Sequence, residues 1–287
     1  MLGGRRNPMK TGNETSARVA ALFDRLAPVY DGAATRYFPF CADRLVDWLG
    51  LRPAEERILD VGTGTGAVAV AAAQRIRPLG RVLAVDVSEK MLDQAWANVR
   101  RMGLHNVDLH PMDATRLEFR EAWFNRVLSG FSLFFLDDMQ AALREWGRVL
   151  KPGGQLALSV FAEGAFDPMA GIFRQQLEAR GIEFPDPPFA WFRLSTPERC
   201  RALLESAGYG DVEIERIQLG YHIEKSLDWW DVIWNTGFRG LVERLDEAGQ
   251  EALKEEHLQA VEGLFEQGKL WINVPVLLVR ARKPHQD

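Results

Sequence analysis

The sequence contains few of the residues and segments that mark secreted, membrane-spanning and metal-binding proteins. Only Cys41 and Cys200 are cysteines, and their wide separation in a chain of 287 residues gives neither a disulfide framework nor a zinc site. No run of about 18 apolar residues is present, so no membrane-spanning helix is predicted. The opening segment, MLGGRRNPMKTGNETS, lacks the apolar centre of a signal peptide. We therefore expect a soluble cytoplasmic protein.

The sequence also lacks an excess of positive charge and any grouping of histidines. Its formal net charge of −5 gives no overall positive field that would attract nucleic acid or an anionic membrane. The five histidines show none of the spacings that metal ligands require. We predict no nucleic-acid partner and no metal, whereas the oligomeric state stays open and a homodimer is allowed.

What the sequence does contain is a regular alternation of strand and helix patterns up to about residue 162. The runs RILDVG, RVLAVDVS, VDLHPMDA, FNRVLSGFSLFFL and QLALSVFA predict five strands with helices between them. Such alternation is typical of a doubly wound α/β fold, in which helices cover both faces of a parallel sheet. VEIERIQL and LWINVPVLLVRARK predict two further strands, and Pro275 in the last run indicates an edge strand or a bulge.

Three glycines, Gly62, Gly64 and Gly66, follow the first predicted strand within ILDVGTGTGA. Ligands of doubly wound sheets bind beyond the carboxyl ends of the strands, and glycines there let a ligand lie against the main chain. Asp86 ends the second strand, 20 residues after Gly66, where a carboxylate can accept hydrogen bonds from both hydroxyls of a ribose. The pattern therefore predicts a nucleotide-like ligand.

Asp60, two residues before the first glycine, discriminates between two such ligands. A dinucleotide site prefers the spacing G-x-G-x-x-G, whereas the third glycine here comes one residue early. A carboxylate beside the glycines would repel a pyrophosphate but would tolerate a ligand that carries a sulfonium and an ammonium group. The sequence therefore favours a cationic ligand over a nicotinamide dinucleotide.

Four segments in order, ILDVGTGTG, VLAVDVSEKML, MDA and RVLKPGG, resemble those of the class I S-adenosylmethionine-dependent methyltransferases. Within that class the chain is similar to the ubiquinone/menaquinone-biosynthesis type. Its segment ARVAALFDRLAPVYD, before the first predicted strand, resembles the entry segment of that family. The resemblance covers about residues 15–162. It implies S-adenosylmethionine as cofactor, a Rossmann-like sheet of seven mostly parallel strands with an antiparallel last strand, and methyl transfer to a small molecule.

The resemblance also assigns individual residues to the cofactor. Those implied for its amino-acid part are Asp60, Gly62, Thr63, Gly64 and Gly66, with the backbone carbonyls of Ser129 and Gly130 facing its ammonium group. Those implied for the ribose and adenine are Asp86, Val87, Met91, Asp113 and Ala114. Tyr30 is implied to close over the cofactor from the N-terminal side.

The chain divides into three predicted parts. Residues 1–50 form a helical segment that covers the cofactor site, and residues 51–162 form the S-adenosylmethionine-binding core. Residues 163–287 complete the sheet and contribute a helical substrate cap over about 228–268. We expect the cap to shape an apolar acceptor site through an aromatic stripe at Trp230, Trp234 and Phe238, although such stripes are more often core.

The catalytic base is not apparent, because Phe134 and Phe135 stand where the family often has histidines. His222, after the sixth predicted strand, is the candidate general base. We predict O- or C-methylation of a small aromatic or apolar acceptor. The alternatives are a non-catalytic S-adenosylmethionine-binding regulator and an NAD(P)-dependent oxidoreductase.

The segment DPPF at 186–189 resembles the signature of methyltransferases that act on adenine in DNA. In those enzymes it directly follows the fourth strand, but here it follows the fifth. We interpret it as a proline-stiffened turn, with a wall of the substrate pocket as the second interpretation.

Overall fold

The structure, a computed structural model, describes residues 12–54 and 56–285. The prediction about a signal peptide and the first residues of the predicted N-terminal part lie outside this range. The helices are α1 (Gly12–Leu26), α2 (Tyr37–Trp48), α3 (Ala67–Ile76), α4 (Glu89–Arg101), α5 (Met139–Val149), α6 (Met169–Ala179), α7 (Pro197–Ser206), α8 (Ser226–Trp234), α9 (Arg239–Val242) and α10 (Glu247–Glu262). The strands are β1 (Arg57–Val61), β2 (Arg81–Asp86), β3 (Val107–Pro111), β4 (Phe124–Gly130), β5 (Leu150–Phe161), β6 (Gly210–Gln218), β7 (Tyr221–Ile223), β8 (Leu270–Ile272) and β9 (Pro275–Arg282).

Seven strands form one twisted sheet in the order β3-β2-β1-β4-β5-β9-β6. Strands β1 to β5 pair in parallel, and β9 pairs antiparallel with both β5 and β6. The four residues Ile58–Val61 of β1 are fully buried, as expected for a central strand that helices cover on both faces. The predicted doubly wound, mostly parallel seven-stranded sheet is confirmed.

The last predicted strand was wrong in its extent and position. Residues 270–282 form two strands, because β8 leaves the main sheet and pairs with β7 in a separate two-stranded sheet. Strand β9 lies inside the main sheet rather than at its edge. Pro275 is the first residue of β9, opposite Gln218, and this position is one of the few that a sheet allows to proline.

The fourth predicted strand was too long. Strand β4 ends at Gly130, and Phe131 has a φ of 51°, in the left-handed region, which turns the chain out of the sheet. A short 3-10 turn follows at Leu133–Phe135. The chain after β4 therefore lies at the carboxyl edge of the sheet, where ligands of this architecture bind.

The strand order reverses between β1 and β4, so the crevice of a doubly wound sheet lies at the carboxyl ends of these two strands. Helix α2 packs against α3, and α1 contacts α4. Within the described residues, no helix is both long and apolar enough to cross a membrane. The same residues contain no cluster of three or more side chains that could hold a metal ion.

Candidate active site

A cavity of about 770 Å³ lies at this crevice, between the carboxyl edge of the sheet and the segment that contains α1, α2 and their connection. Most of the predicted cofactor residues line it. The lining members of that set are Tyr30, Asp60, Gly62, Thr63, Gly64, Gly66, Asp86, Val87, Asp113, Ala114 and Gly130. The fold thus brings together residues from four strand ends and from the N-terminal segment.

The glycine turn after β1 has a backbone that other residues rarely adopt. Gly62, Gly64 and Gly66 have φ values of 68°, 54° and 88°. A Cβ atom on Gly62 would lie 2.5 Å from the Cβ of Ser132, so the close approach of two chain segments requires glycine there. A Cβ on Gly64 would meet nothing within 4 Å, which means that this glycine faces open space at the cavity.

Asp60, at the end of β1, is fully buried and has one unsatisfied oxygen. The hydroxyl of Thr63 donates a hydrogen bond of 2.6 Å to Oδ2, whereas Oδ1 has no partner among the described residues. Burial raises the pKa of this carboxyl to about 7, although the Thr63 hydroxyl and the nearby Ala69 amide act in the opposite direction. A buried carboxylate oxygen without a donor fits a ligand that brings a cationic N–H group.

Asp86 is held at the end of β2 by two main-chain donors. The Gly64 amide donates to Oδ2 at 2.8 Å, and the Ser88 amide donates to Oδ1 at 2.9 Å. Burial raises the pKa of this carboxyl, and the two amides oppose the increase. The carboxylate is therefore fixed beside the glycine turn, where its remaining lone pairs can accept hydroxyl groups.

Asp113, after β3, accepts more hydrogen bonds within the protein than the sequence suggests. Oδ2 accepts a hydrogen bond of 2.7 Å from the hydroxyl of Ser16 in α1, and Oδ1 accepts from the amide and hydroxyl of Thr115. Burial would raise the pKa of Asp113, but these hydrogen bonds outweigh it and the pKa is lowered. Sequence reasoning missed Ser16, because nothing local links it to a carboxylate 97 residues away.

Two more carboxylates tie the N-terminal segment to the site. The Ser88 hydroxyl donates to Oδ1 of Asp24 at 2.6 Å. The Thr65 hydroxyl donates to Oδ1 of Asp31 at 2.6 Å, and the side-chain Nδ2 of Asn98 donates to Oδ2 of Asp31 at 2.6 Å. Sequence reasoning missed both acids, although Asp31 lies directly beside the predicted Tyr30.

Met91 and Ser129 belong to the predicted set but do not line the cavity. Met91 of α4 is fully buried and packs with Leu26 and Ala27, so it anchors the C-terminal end of α1. The Ser129 side chain is also fully buried, and its hydroxyl pairs with that of Ser132 at 2.6 Å. Ser132 does line the cavity and holds the loop after β4 to the end of β1.

Aromatic side chains line another part of the cavity: Phe23, Tyr30, Phe38, Phe131 and Phe135. The rings of Tyr30 and Phe38 stack with centroids 5.2 Å apart, and Phe38 meets Phe131 edge-on at 5.1 Å. Phe23 meets Phe135 edge-on at 5.4 Å. These five residues, here called the aromatic wall, come from α1, α2, the connection between them and the chain after β4.

The predicted role of the cap aromatics as a wall of the acceptor site is corrected by the structure. No described residue of 228–268 lines the cavity. Trp230 and Phe238 are buried in the core, where Phe238 packs edge-on against Phe173 of α6. Trp234 lies under the guanidinium of Arg239. The helical spacing of the stripe reflects core packing, the more frequent origin of such a pattern.

The structure also corrects the proposed base, because His222 is exposed on β7 and does not line the cavity. Its ring lies 4.9 Å from the ring of Trp271 on the paired strand β8. The neighbouring Tyr221 points the other way and donates a hydrogen bond of 2.9 Å to the carbonyl of Ala34. Successive side chains of a strand face opposite sides, so His222 points away from the site.

The two phenylalanines after β4 differ in position, since Phe135 lines the cavity whereas Phe134 is buried behind it. The DPPF segment lies in a turn outside the cavity. Its Phe189 is buried and stacks on Trp191 with ring centroids 4.4 Å apart. This placement agrees with a turn and not with a wall of the substrate pocket.

The residues present fit S-adenosylmethionine. The unsatisfied oxygen of Asp60 suits an ammonium group, the open face of Gly64 admits a ligand against the main chain, and Asp86 can accept ribose hydroxyls. A pyrophosphate would meet the carboxylates of Asp60 and Asp86 instead of a cation.

Residues 58–154 match the family described as the methyltransferase domain. The chain is 27% identical over 274 residues to nocamycin O-methyltransferase from Saccharothrix syringae, covering 91% of this chain and 97% of that protein. It is 35% identical over 209 residues to demethylmenaquinone methyltransferase from Listeria monocytogenes, covering 68% of this chain and 88% of that protein. In fold it is similar to phosphoethanolamine N-methyltransferase 2 from Haemonchus contortus in complex with S-adenosyl-L-methionine, with a TM-score of 0.52 and 19% identity over 85% of this chain and 52% of that one.

The fold and these relatives define a class I methyltransferase, and the chain belongs to the S-adenosylmethionine-dependent methyltransferases. Its cofactor is S-adenosylmethionine, as the resemblance implied. The assignment decides against the NAD(P)-dependent oxidoreductase and favours an enzyme over the non-catalytic regulator.

Proposed function

We propose that the cavity holds S-adenosylmethionine on the glycine turn and a small aromatic or apolar acceptor on the aromatic wall, for O- or C-methylation. The observation that supports this most directly is the chemical division of one cavity. Its polar lining carries the unsatisfied Asp60 oxygen, and its apolar lining includes the five aromatic side chains of the aromatic wall. The relatives are named for nocamycin and demethylmenaquinone, which are both small molecules.

In the polar part, Asp60 and the turn Gly62–Gly66 would hold the amino-acid portion of the cofactor, and Asp86 would hold its ribose. Val87 and Ala114 would lie beside the adenine. When bound, the cofactor supplies an electrophilic methyl carbon on a positively charged sulfur. The chain's own task is to orient the acceptor, to exclude water and to keep the reacting atoms in line.

The aromatic wall suits a flat acceptor. Ring faces and edges contact planar ligands over a large area. Phe38, Phe131 and Phe135 are apolar, so these side chains offer no hydrogen-bonding group that would hold water in place of the acceptor. Three of the five wall residues come from the segment before the sheet. In this proposal, the segment before the sheet must therefore lie over the cavity for the acceptor to bind.

The predicted division into residues 1–50, 51–162 and 163–287 is kept with one change. The first part covers the cofactor site through Ser16, Asp24 and Asp31, and the third part supports the site without lining it. A cytoplasmic location, the lack of a nucleic-acid partner and a homodimer stay predictions.

Calorimetric titration with S-adenosylmethionine and a methyl-release assay on flat phenols, acids and quinols test this function. The Phe135→Ala variant should lose about tenfold or more in kcat/KM, because a wall of the acceptor site is removed, while cofactor Kd changes by less than about threefold. Phe40→Ala is the matched control, since Phe40 is 60% exposed and outside the cavity. Tight cofactor binding without methylation of any flat acceptor would contradict the proposal.

A further inference from the structure

We propose that the acceptor enters the site already ionised, as a carboxylate or a comparably acidic enolate, and that Arg36 binds its negative charge. This inference rests on the proposed function and deepens it by naming the acceptor class. It follows from three observations: the ionisable side chains that line the cavity, the partners that most of them already have, and the unpaired guanidinium beside the aromatic wall.

The ionisable side chains of the cavity do not include an ordinary general base. In the described part of the chain they are Asp31, Asp43, Asp60, Asp86, Asp113, Asp137, Asp138, Tyr30, Arg36 and Arg101. Histidine, lysine, cysteine and glutamate are absent from this lining. A group that takes a proton from a phenol or alcohol works best when its own pKa lies near neutrality. The aspartates and the tyrosine must therefore be considered one by one.

The aspartates that line the polar part are engaged. Asp31, Asp86 and Asp113 each accept at least two hydrogen bonds, as described above. Oxygens that already accept these donors have fewer lone pairs left with which to take a proton from an acceptor. Asp60 alone has a free oxygen, but that oxygen belongs to the proposed ammonium site. A cation bound there would lower the raised pKa of Asp60 and so reduce its tendency to take a proton.

The remaining acids are no better suited. Asp138 accepts the amide of Ala141 at 2.8 Å and caps α5, and Asp43 lies 3.8 Å from the guanidinium of Arg75. Asp137 is exposed to solvent. Burial and nearby carboxylates raise the pKa of Tyr30, so its phenol stays protonated and acts as a donor. The described lining of the cavity therefore offers no suitable general base for an acceptor that must lose its proton in the site.

Arg36 is a cation held in place without a carboxylate partner. Its Nε atom donates to the carbonyl of Ala33 at 2.8 Å, and its guanidinium carbon lies 4.1 Å from the ring centroid of Tyr221. Tyr221 is itself anchored by its hydrogen bond to Ala34. Within the described ranges, Arg36 forms no ion pair with an acidic side chain; its guanidinium also interacts with the Tyr221 side chain, and the remaining N–H groups of its terminal nitrogens can bind a carboxylate.

The location of Arg36 links it to the acceptor rather than the cofactor. It lines the cavity two residues before Phe38, which belongs to the aromatic wall. The other arginine of the lining, Arg101, lies on α4, the helix whose Asn98 contacts the glycine turn. Arg36 therefore contributes positive charge to the lining of the cavity that also contains the aromatic wall, where an anionic flat molecule would bind.

The transfer step needs no base in this proposal. The acceptor oxygen, which lost its proton to solvent before binding, forms a bond to the methyl carbon while the bond from that carbon to sulfur breaks. The bonding pair stays on sulfur, which becomes neutral, and the acceptor becomes a neutral ester or enol ether. Loss of the acceptor's charge weakens its interaction with Arg36 and favours release of the product.

The test compares acceptors that share one ring system and differ in acidity: 1-naphthoate, 1-naphthamide, 1-naphthol and 2-hydroxy-1,4-naphthoquinone. Binding is measured in the presence of S-adenosylhomocysteine, where no transfer occurs, and transfer is measured with S-adenosylmethionine. We expect the two acidic compounds to bind at least about tenfold more tightly than the neutral ones. Their kcat/KM should be flat between about pH 6.5 and 9, whereas that of naphthol should rise with its own ionisation. Comparison of 1-naphthoate with 2-hydroxy-1,4-naphthoquinone shows whether the site prefers a carboxylate or an acidic enolate.

Arg36→Gln should weaken binding of the acidic compounds by about tenfold, leave naphthol binding unchanged and alter cofactor Kd by less than about twofold. Arg36→Lys should retain part of the effect. Arg44→Gln is the matched control, because Arg44 is an exposed arginine of α2, the helix that Arg36 directly precedes, and lies outside the cavity. Equal binding of acidic and neutral compounds, or equal weakening of both by Arg36→Gln, would overturn this inference and leave the proposed function standing. Failure of the wild-type protein to bind S-adenosylmethionine would overturn the proposed function instead.

Discussion

The hydroxyl of Thr65 lies 2.6 Å from Oδ1 of Asp31, and this hydrogen bond joins the connection between α1 and α2 to the glycine turn. Asn98 of α4 donates to the other oxygen of the same carboxylate and to the carbonyl of Thr65. One acidic side chain thus holds together the N-terminal segment, the cofactor turn and a helix of the core. The segment that supplies much of the aromatic wall is attached at the place where the cofactor binds.

Asp31→Ala should loosen this attachment. Hydrogen bonds to charged groups contribute more than neutral ones, but Asp31 is exposed, so we expect a three- to tenfold loss of S-adenosylmethionine affinity, about 1 kcal/mol. Hydrogen exchange over residues 16–31 should become faster. Asp93→Ala on α4 is the control, since Asp93 is exposed and outside the cavity. Unchanged exchange in the Asp31 variant would show that this contact does not hold the segment.

Gly64→Ala and Gly103→Ala separate ligand binding from backbone strain. Both glycines have a left-handed backbone, with φ values of 54° and 62°, and neither would bring a Cβ within 4 Å of another atom. Both variants should therefore lose a similar stability, about 1–2 kcal/mol by urea unfolding. Only Gly64→Ala should weaken S-adenosylmethionine binding, by about tenfold or more, because its methyl group enters the cavity. Equal cofactor affinities for the two variants would argue against the glycine turn as the binding surface.

Asp60 should couple cofactor binding to proton release. Its folded pKa of about 7 lies above the ordinary value of 3.8, so the folded ligand-free chain holds a proton that the unfolded chain has lost between about pH 4 and 7. Stability of the ligand-free protein should fall as pH rises through this window. A cationic ligand favours the charged carboxylate, so cofactor affinity should rise with pH up to about 7 and then level off. Calorimetry at about pH 6.5 in buffers of different ionisation heat measures the released proton, and Asp60→Asn should reduce it.

A buried histidine predicts acid sensitivity of the helical region. The Trp229 indole donates to Nε2 of His257 at 2.8 Å, and Nδ1 pairs with Oε1 of Gln176 at 2.7 Å, so the ring bridges α8, α10 and α6 in its neutral form. Burial lowers its pKa from 6.5 to about 4. Its stabilising effect should be complete above about pH 6.5 and should decline toward pH 4, by about 2–3 kcal/mol in urea unfolding.

His257→Gln should flatten this pH dependence, because an amide keeps a neutral donor and acceptor without titrating. The control is His105→Gln, since His105 is exposed. If the difference in unfolding free energy between the wild-type protein and His257→Gln is the same at about pH 7.5 and 4.5, the network does not have the predicted role.

The strand pattern and the glycine turn were predictable because both depend on local signals. Buried apolar runs predicted β1 and β2, and parallel strands bring their carboxyl ends to one edge, so Asp60 and Asp86 had to lie near each other. The fold class therefore followed from the sequence.

The side-chain contacts that complete the site were not predictable, since they join distant parts of the chain. Whether His222 points inward depends on the pairing of β7 with β8, which lies almost fifty residues later. The contacts of Ser16 and Asp31 depend on how α1 lies over the sheet, and no periodic pattern records that. The aromatic stripe of α8 and the turn after it has the same spacing whether it faces a ligand or the core.

Calorimetric titration of S-adenosylmethionine into the wild-type protein and into Asp86→Ala tests the central claim most directly. Asp86 accepts the Gly64 amide and is the proposed ribose partner, so its loss should weaken binding by roughly 100-fold in protein whose circular dichroism is unchanged. An unchanged Kd in folded Asp86→Ala would contradict the account.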